Sequence, residues 1–211
     1  VILIPNFCYA VLDSKEVKPN KPIGVLRMGE RLAFWKTPDG KIVCMRDLCP
    51  HRGAALSNGK LVGDLLQCPF HGFQFDRQGA CVLIPANGLE GPVPKAMQLH
   101  NNPAREQDGF IWIWWGDWQE EFPEIPTLDE IDDSFSNSTI RDHWKTHYSR
   151  AIENQLDVSH LPFIHPTTIG RGDRTVVDGP YSECCIDGDS IYVWVNNRVD
   201  DGTPALSFKE I

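Results

Sequence analysis

The sequence has no long hydrophobic run and few basic residues. No apolar stretch approaches the roughly 18–20 residues that a membrane-spanning helix requires, which excludes a transmembrane protein. The 20 lysines and arginines are outnumbered by 29 aspartates and glutamates, so the net charge is −9. Because binding to phosphates requires a basic patch, this balance argues against nucleic acid as a partner. The 211 residues, 41% of them hydrophobic, suffice for one large or two modest globular domains.

The seven cysteines lack the features of a disulfide scaffold. Their number is odd, and no apolar signal segment precedes a cleavage site of small residues. Such cysteines fit a reducing compartment, where they usually hold metal or perform chemistry. We therefore expect a cytoplasmic protein. Because the chain opens on Val1 rather than methionine, an upstream targeting peptide, and with it a plastid or another organelle, remains open.

The first part of the chain shows almost no helical periodicity. Turns rich in Pro, Asp and Gly predict two hairpins, which join Leu32–Trp35 to Lys41–Met45 and Phe73–Phe75 to Cys81–Ile84. The aromatic and β-branched run Phe110–Trp115 predicts a strand that is buried on both faces. We predict an all-β domain over residues 1–118.

An acidic connection follows this domain. Between Asp117 and Asp133 there are eight acidic residues, two prolines and no lysine or arginine. Such a stretch buries little apolar area and is typical of a solvated segment. We predict a linker over residues 119–140.

The last part of the chain has a mixed pattern. Good helix formers predict a helix from about Arg141 to His160, which ends there because Pro162 disfavours a helical conformation in the residue before it. Strands at Tyr181–Ile186 and Ile191–Val199 then form a hairpin around residues 187–190. We predict an α+β domain over residues 141–211.

Two short loops in the β domain each offer one thiol and one imidazole. The motifs Cys49-Pro50-His51 and Cys68-Pro69-Phe70-His71 are separated by sixteen residues, and a glycine follows each of them closely. A [2Fe–2S] cluster with two cysteines on one iron and two histidines on the other requires this supply of ligands. The alternative is a structural Cys₂His₂ zinc site, but zinc fingers usually place both cysteines in one loop and both histidines in another.

A second group of metal-binding side chains follows the linker. On one continuous helix, Glu153, Asp157 and His160 would fall within an arc of roughly 60°. If the helix ends before Pro162, His165 can fold back and share a metal with His160. Two imidazoles and one carboxylate suit a mononuclear Fe(II) that keeps positions open for O₂ and substrate. Taken alone, each carboxylate is better explained as a solvated helix charge and each histidine as a core or cap residue, so the prediction depends on these residues occurring together.

His143 and His147 form a competing pair upstream. Their spacing is that of zinc proteases, but the glutamate base of that motif is replaced by Trp144. We interpret the pair as structural or as support for a metal site.

The combined pattern resembles the α subunit of Rieske non-haem iron oxygenases, and is most similar to the pheophorbide a oxygenase and vanillate O-demethylase type. Ala54 and Phe70 stand where respiratory Rieske proteins carry an additional pair of cysteines. The resemblance implies an all-β Rieske domain followed by an α+β, helix-grip-like catalytic domain, here truncated. It also implies a homotrimer that brings the two metal centres of neighbouring subunits together.

The resemblance also implies roles for individual residues. Cys49, His51, Cys68 and His71 would hold the cluster, and His160 and His165 would bind Fe(II). Asp157 would hydrogen-bond His160 and, across a subunit boundary, a cluster histidine such as His71, while Asn154 would lie near the iron. The third iron ligand, a carboxylate, lies further downstream in the family, and we assign it to none of Asp173, Asp178 and Asp187.

The expected activity is oxygenation of an organic, aromatic or polycyclic substrate with O₂. NAD(P)H would supply electrons only indirectly, through a reductase that works alone or with a ferredoxin. The alternatives are a Rieske ferredoxin-like electron carrier, an aromatic-ring cis-dihydroxylating dioxygenase, and an interaction protein that keeps the fold without the activity.

Overall fold

A computed structural model describes residues 3–117, 122–125, 134–136, 138–184 and 191–206. Two compact units divide the chain at residue 141. The first is built of strands and the second of helices and strands, which confirms the predicted fold class. Most of the predicted linker, and the predicted turn at 187–190, lie outside the described residues. In the described part, no helix has the length and apolar character needed to span a bilayer.

The first unit is a set of short antiparallel strands. Their bounds are β1 (Phe7–Asp13), β2 (Ile23–Arg27), β3 (Glu30–Lys36), β4 (Ile42–Arg46), β5 (Lys60–Val62), β6 (Leu65–Gln67), β7 (Gln74–Phe75), β8 (Cys81–Leu83), β9 (Asn101–Asn102), β10 (Ala104–Gln107) and β11 (Phe110–Trp115). They form sheets of order β2-β3-β4-β9, β5-β6-β7-β8 and β1-β11-β10. The predicted hairpins are confirmed as β3–β4 and β7–β8. Their turns contain Gly40 and Gly79 at positive φ, which glycine adopts without steric cost.

The core of the first unit has two parts, and one of them contains the candidate cluster cysteines. Cys49 and Cys68 are buried together with Trp35, Leu66 and Phe75. The second part lies along β1, β3 and β11. The thiols are therefore placed by the hydrophobic core itself.

The prediction that β11 is buried on both faces is wrong. Ile111 and Ile113 are fully buried, whereas Phe110, Trp112 and Trp115 are half-buried. This alternation is typical of an antiparallel sheet with one face on the core. Trp114 departs from the alternation, and its indole Nε1 donates to the Asp117 carbonyl at 2.7 Å.

The second unit contains α1 (Tyr148–Leu156), α2 (Leu161–Ile164), β12 (Val176–Cys184) and β13 (Ile191–Arg198). Strands β12 and β13 pair antiparallel, which confirms the predicted hairpin. The long helix predicted from Arg141 to His160 is wrong at both ends. It begins late, because His147 caps it by accepting a hydrogen bond from the Ser149 N–H at 3.4 Å.

The early end of α1 has a local cause. Asp157 has an extended conformation, with ψ of 112°, and its carboxylate accepts a hydrogen bond from the Ser159 N–H at 2.8 Å. Aspartate often forms such a turn in competition with the helix. Glu153, Asp157 and His160 therefore do not share one helix. Pro162 does not simply end a helix either, since it lies in the first turn of α2, where its missing N–H is tolerated.

Candidate metal centres

The first cysteine–histidine loop is a tight turn after β4. The Cys49 N–H donates to the Ala54 carbonyl at 2.8 Å, and the Gly53 N–H donates to the Cys49 carbonyl at 2.8 Å. Gly53 has a φ of 71°, which lets the chain reverse over a short distance. His51 therefore projects from a loop whose ends are held together by the backbone.

The second loop, between β6 and β7, repeats these bonds at equivalent positions. The Cys68 N–H donates to the Phe73 carbonyl at 2.8 Å, and the Gly72 N–H donates to the Cys68 carbonyl at 3.1 Å, with Gly72 at a φ of 75°. The only offset is that His71 stands three residues after its cysteine rather than two. Two loops of the same design thus present the four predicted ligands.

The two thiols of this site are buried away from solvent. Cys49 and Cys68 are 3% and 1% exposed. Burial raises the pKa of the Cys49 thiol to about 11, and the Cys68 thiol next to it acts in the same direction, while the backbone N–H groups of His51 and Arg52 oppose the shift. A metal must therefore displace a proton from a buried thiol in order to bind here.

The imidazole side is closer to the surface. The ring centroids of His51 and His71 are 4.7 Å apart, and the ring of His51 stacks on Phe73 at 4.8 Å. Nδ1 of His51 is buried and has no hydrogen-bond partner among the described residues. An unpaired buried nitrogen is costly unless a ligand satisfies it, so this atom fits a metal-facing position.

The donor set fits a binuclear cluster better than a single zinc ion. A zinc site requires four donors around one point. A [2Fe–2S] cluster requires only two donors on each iron, which is what two thiols and two neighbouring imidazoles supply.

In the second unit, His160 and His165 lie at the two ends of α2. His160 precedes the helix and His165 follows it, so one helical turn separates them and their ring centroids are 5.7 Å apart. The Ile164 N–H donates to the His160 carbonyl at 2.9 Å, and the His165 N–H donates to the Leu161 carbonyl at 2.9 Å. The two imidazoles are thus brought together by a turn of helix that contains Pro162, and not by a chain reversal after a helix that ends before it.

Asp157 lies beside this pair. Its Oδ2 is 3.4 Å from Nδ1 of His160, a contact whose geometry falls short of a hydrogen bond. The Ser159 N–H, and then the imidazole of His160, lower the pKa of the Asp157 carboxyl group. The carboxylate is thus ionised and positioned to orient the ring.

Comparisons with known proteins match both units. The Rieske [2Fe-2S] domain matches residues 7–95, and the vanillate O-demethylase oxygenase C-terminal domain matches residues 144–208. The chain therefore contains a Rieske domain followed by an oxygenase C-terminal domain of the vanillate O-demethylase type. These two matches include all six predicted metal ligands.

Relatives of this chain include demethylases. The oxygenase component of dicamba O-demethylase from Stenotrophomonas maltophilia is 35% identical over 210 residues, covering 96% of this chain and 58% of the relative. Methylxanthine N1-demethylase NdmA from Pseudomonas putida is 38% identical over 150 residues, covering 70% and 42%. The solved structure of the Pseudomonas putida CBB5 NdmA QL mutant with caffeine has a TM-score of 0.76 at 31% identity, covering 91% of this chain and 58% of that chain. The chain thus spans roughly half the length of these relatives.

The expected place of Asn154 near the iron stays a prediction. Asn154 lies exposed on α1, and in the described part of the chain its side chain makes no hydrogen bond. The neighbouring Glu153 pairs with Arg150 at 2.5 Å. The upstream candidates His143 and His147 are both exposed, and the ring of His147 caps α1.

The carboxylates considered for the third iron ligand of the family differ in their surroundings. Asp178 is buried and already occupied, because its Oδ2 contacts Arg198 Nε at 3.0 Å and its Oδ1 accepts the Leu206 N–H at 2.9 Å. The Leu206 N–H and then the Arg198 guanidinium lower the pKa of Asp178. Asp173 is exposed, and Asp187 lies outside the described residues.

Sequence reasoning missed Gly170, which supports the histidine turn. Its N–H donates to the His165 carbonyl at 3.0 Å, and a Cβ at this position would lie 1.8 Å from the Leu161 carbonyl oxygen. Only a glycine fits so close to α2. A single glycine in a loop carries no motif, so no signal in the sequence could have identified it.

Proposed function

We propose that the protein is the oxygenase component of a Rieske non-haem iron system, which hydroxylates or demethylates a small aromatic or polycyclic substrate with O₂ and reductase-supplied electrons. The observation that carries the proposal is the presence of two donor sets of different chemistry. One unit offers two thiols and two imidazoles, and the other offers two imidazoles beside a carboxylate. When bound, a [2Fe–2S] cluster transfers single electrons, and an Fe(II) with open positions activates O₂.

In the first unit, the four ligands would divide between a buried and an exposed side. Cys49 and Cys68 would hold one iron inside the hydrophobic core. His51 and His71 would hold the other, and the exposed residue His71 would face the solvent side, where an electron donor can approach. The stacking of His51 on Phe73 fixes the plane of that ring and so the direction of its nitrogen atoms.

In the second unit, His160 and His165 would bind Fe(II) from one side. The Nδ1–H of His160 would donate a hydrogen bond to the Asp157 carboxylate, which would fix the tautomer and leave Nε2 available as the ligand. These two imidazoles would leave positions at the iron for a further ligand, O₂ and substrate. We assign no role at the iron to Asn154 beyond a place near it on the preceding helix.

Asp157→Asn is expected to lower product formation about 10- to 100-fold, because the ring of His160 loses the charged acceptor that orients it. Both metals should remain bound, since no ligand is removed. Product formed per iron, measured with the reductase in excess, checks the expectation.

A matched control is available at Asp200. Its carboxylate accepts the N–H of the residue two positions on, Gly202, at 2.9 Å, as Asp157 does with Ser159, but it lies in a different turn. Asp200→Asn should therefore turn over normally. Unchanged product formation in Asp157→Asn would remove Asp157 from the mechanism.

The competing proposal is an electron carrier of the Rieske ferredoxin kind. Metal analysis separates the two, because an oxygenase should hold about three irons per chain and a carrier about two. The reduced protein should give an EPR signal with the low average g value of histidine ligation, together with O₂ uptake that depends on an aromatic substrate. Two irons per chain and no substrate-dependent uptake would support the carrier.

The partners follow from the family and the relatives. The relatives act, by name, on dicamba, methylxanthine and toluene-4-sulfonate. We infer a small aromatic or polycyclic substrate, a demethylation or monooxygenation rather than ring dihydroxylation, and a reductase that works with or without a ferredoxin. We also infer a homotrimer, which a native mass three times that of the chain would support. The free cysteines in the described part fit a reducing cytoplasm or organelle.

A further inference from the structure

Outside the backbone hydrogen bonds that the two cluster loops share, the segments that flank each loop are joined in different ways. The second loop connects β6 to β7, which pair directly through Gln67 and Gln74, and the two amide side chains are joined by a hydrogen bond of 3.2 Å. The first loop begins at β4, which pairs with β3 and β9. The strand that follows this loop, β5, pairs with β6 instead. Among the strands that the structure describes, no ladder therefore joins the two ends of the first loop.

A buried carboxylate joins these two ends. The Ser57 N–H donates to Asp47 Oδ1 at 2.7 Å, and the Ser57 hydroxyl donates to Asp47 Oδ2 at 2.6 Å. Asp47 is 5% exposed, and its own N–H donates to the Arg31 carbonyl on β3 at 2.8 Å. Hydrogen bonds to an ionised acceptor are roughly twice as strong as neutral ones. This pair encloses the segment that carries Cys49 and His51.

The backbone of strand β2 packs against the Asp47–Ser57 pair. A Cβ at Gly24 would lie 2.3 Å from Ser57 Oγ and 2.7 Å from Asp47 Oδ2. The glycine thus lets the strand backbone approach both side chains and exclude water. A carboxylate tolerates such burial only when its oxygens are hydrogen-bonded, and both oxygens of Asp47 accept hydrogen bonds from Ser57.

We propose that Asp47 and Ser57 form a clamp that closes the first cluster loop and holds Cys49 and His51 in place. The inference rests on the proposed function, since it requires that the two loops bind a cluster. Asp47 and Ser57 are positioning residues, because they act through the backbone of the loop and do not supply a ligand. The clamp joins the two ends of the first loop, as the β6–β7 pairing joins the two ends of the second.

The test compares variants of the full chain after reconstitution with iron and sulfide. Asp47→Ala and Ser57→Ala should lose the cluster to a chelator about 10- to 100-fold faster than the wild type, with shifted EPR g values and midpoint potential. Asp47→Asn keeps an acceptor oxygen and should lie between them and the wild type. Gly24→Ala changes neither Asp47 nor Ser57, but its methyl group should separate their side chains. We therefore expect it to speed the loss of the cluster as well, so the clamp can be tested even if Asp47→Ala fails to fold.

Asp76→Ala is the matched control. The Asp76 carboxylate also accepts two backbone N–H groups, from Gln78 and Ala80 at 2.9 Å each, but in a turn without a predicted ligand. It should leave the rate of cluster loss and the EPR signal unchanged. The clamp is overturned if Asp47→Ala and Ser57→Ala release the cluster at the wild-type rate, or if Asp76→Ala releases it equally fast. A wild-type chain that binds no histidine-ligated cluster overturns the proposed function, and the clamp with it.

Discussion

Replacing Cys68 with alanine is expected to abolish the visible absorbance of the cluster and to remove its iron and sulfide, while the fold persists. Cys68 is 1% exposed and lies in the same buried cluster as Cys49, so its burial keeps solvent from taking the place of the lost thiolate. The cost to folding should be small, about 1 kcal/mol, because a single buried atom is deleted. Absorbance, iron and sulfide analysis and circular dichroism of the same sample check both parts of this expectation.

Cys44 provides the control for burial of a thiol. It is fully buried in the other part of the core, its Sγ lies 4.0 Å from Asn102 Nδ2, and burial raises its pKa strongly. Cys44→Ala should therefore show a comparable loss of stability and a full complement of cluster. Retention of the cluster in Cys68→Ala, or its equal loss in Cys44→Ala, would contradict the ligand assignment.

The parts of the fold that sequence reasoning predicted correctly depend on short-range chemistry. The β3–β4 and β7–β8 hairpins are set by turn residues that favour a reversal whatever surrounds them. The two cluster loops are likewise local, since each places a cysteine, a histidine and a glycine within five consecutive residues. That the two loops lie side by side could be predicted only because the metal centre requires four ligands and each loop offers two.

Other features depend on competition or on distant contacts. The helix predicted up to His160 ends earlier, because the Asp157 side chain bonds the Ser159 N–H and offers the backbone an alternative to the helix. The hydrophobic periodicity of a sequence does not show that a side chain competes with the helix for backbone hydrogen bonds. The Asp47–Ser57 clamp spans ten positions and depends on a glycine of another strand, so its residues look ordinary in the sequence. The one-face burial of β11 depends on its neighbours in the sheet.

Replacing Gly170 with alanine is expected to weaken Fe(II) binding by the histidine pair about 10- to 100-fold without affecting the cluster. The added methyl group would lie 1.8 Å from the Leu161 carbonyl oxygen and 2.8 Å from that of His165. Both oxygens belong to the backbone of the turn that holds the two imidazoles, so the clash can be relieved only by moving α2 or the chain after it. Either movement changes the separation of His160 and His165, now 5.7 Å between ring centroids.

Gly172→Ala, two positions away, distinguishes this effect from a general loss of loop flexibility. Its Cβ would lie 3.2 Å from the Cβ of Pro166, a tight contact with a side chain rather than a collision with the backbone. Titration with Co(II), followed by its visible absorption after subtraction of the cluster spectrum, measures the affinity of the histidine pair in both variants. Equal affinities in Gly170→Ala and the wild type would show that α2 does not set the geometry of the pair. An equal loss in Gly172→Ala would instead assign the effect to the whole 166–172 segment.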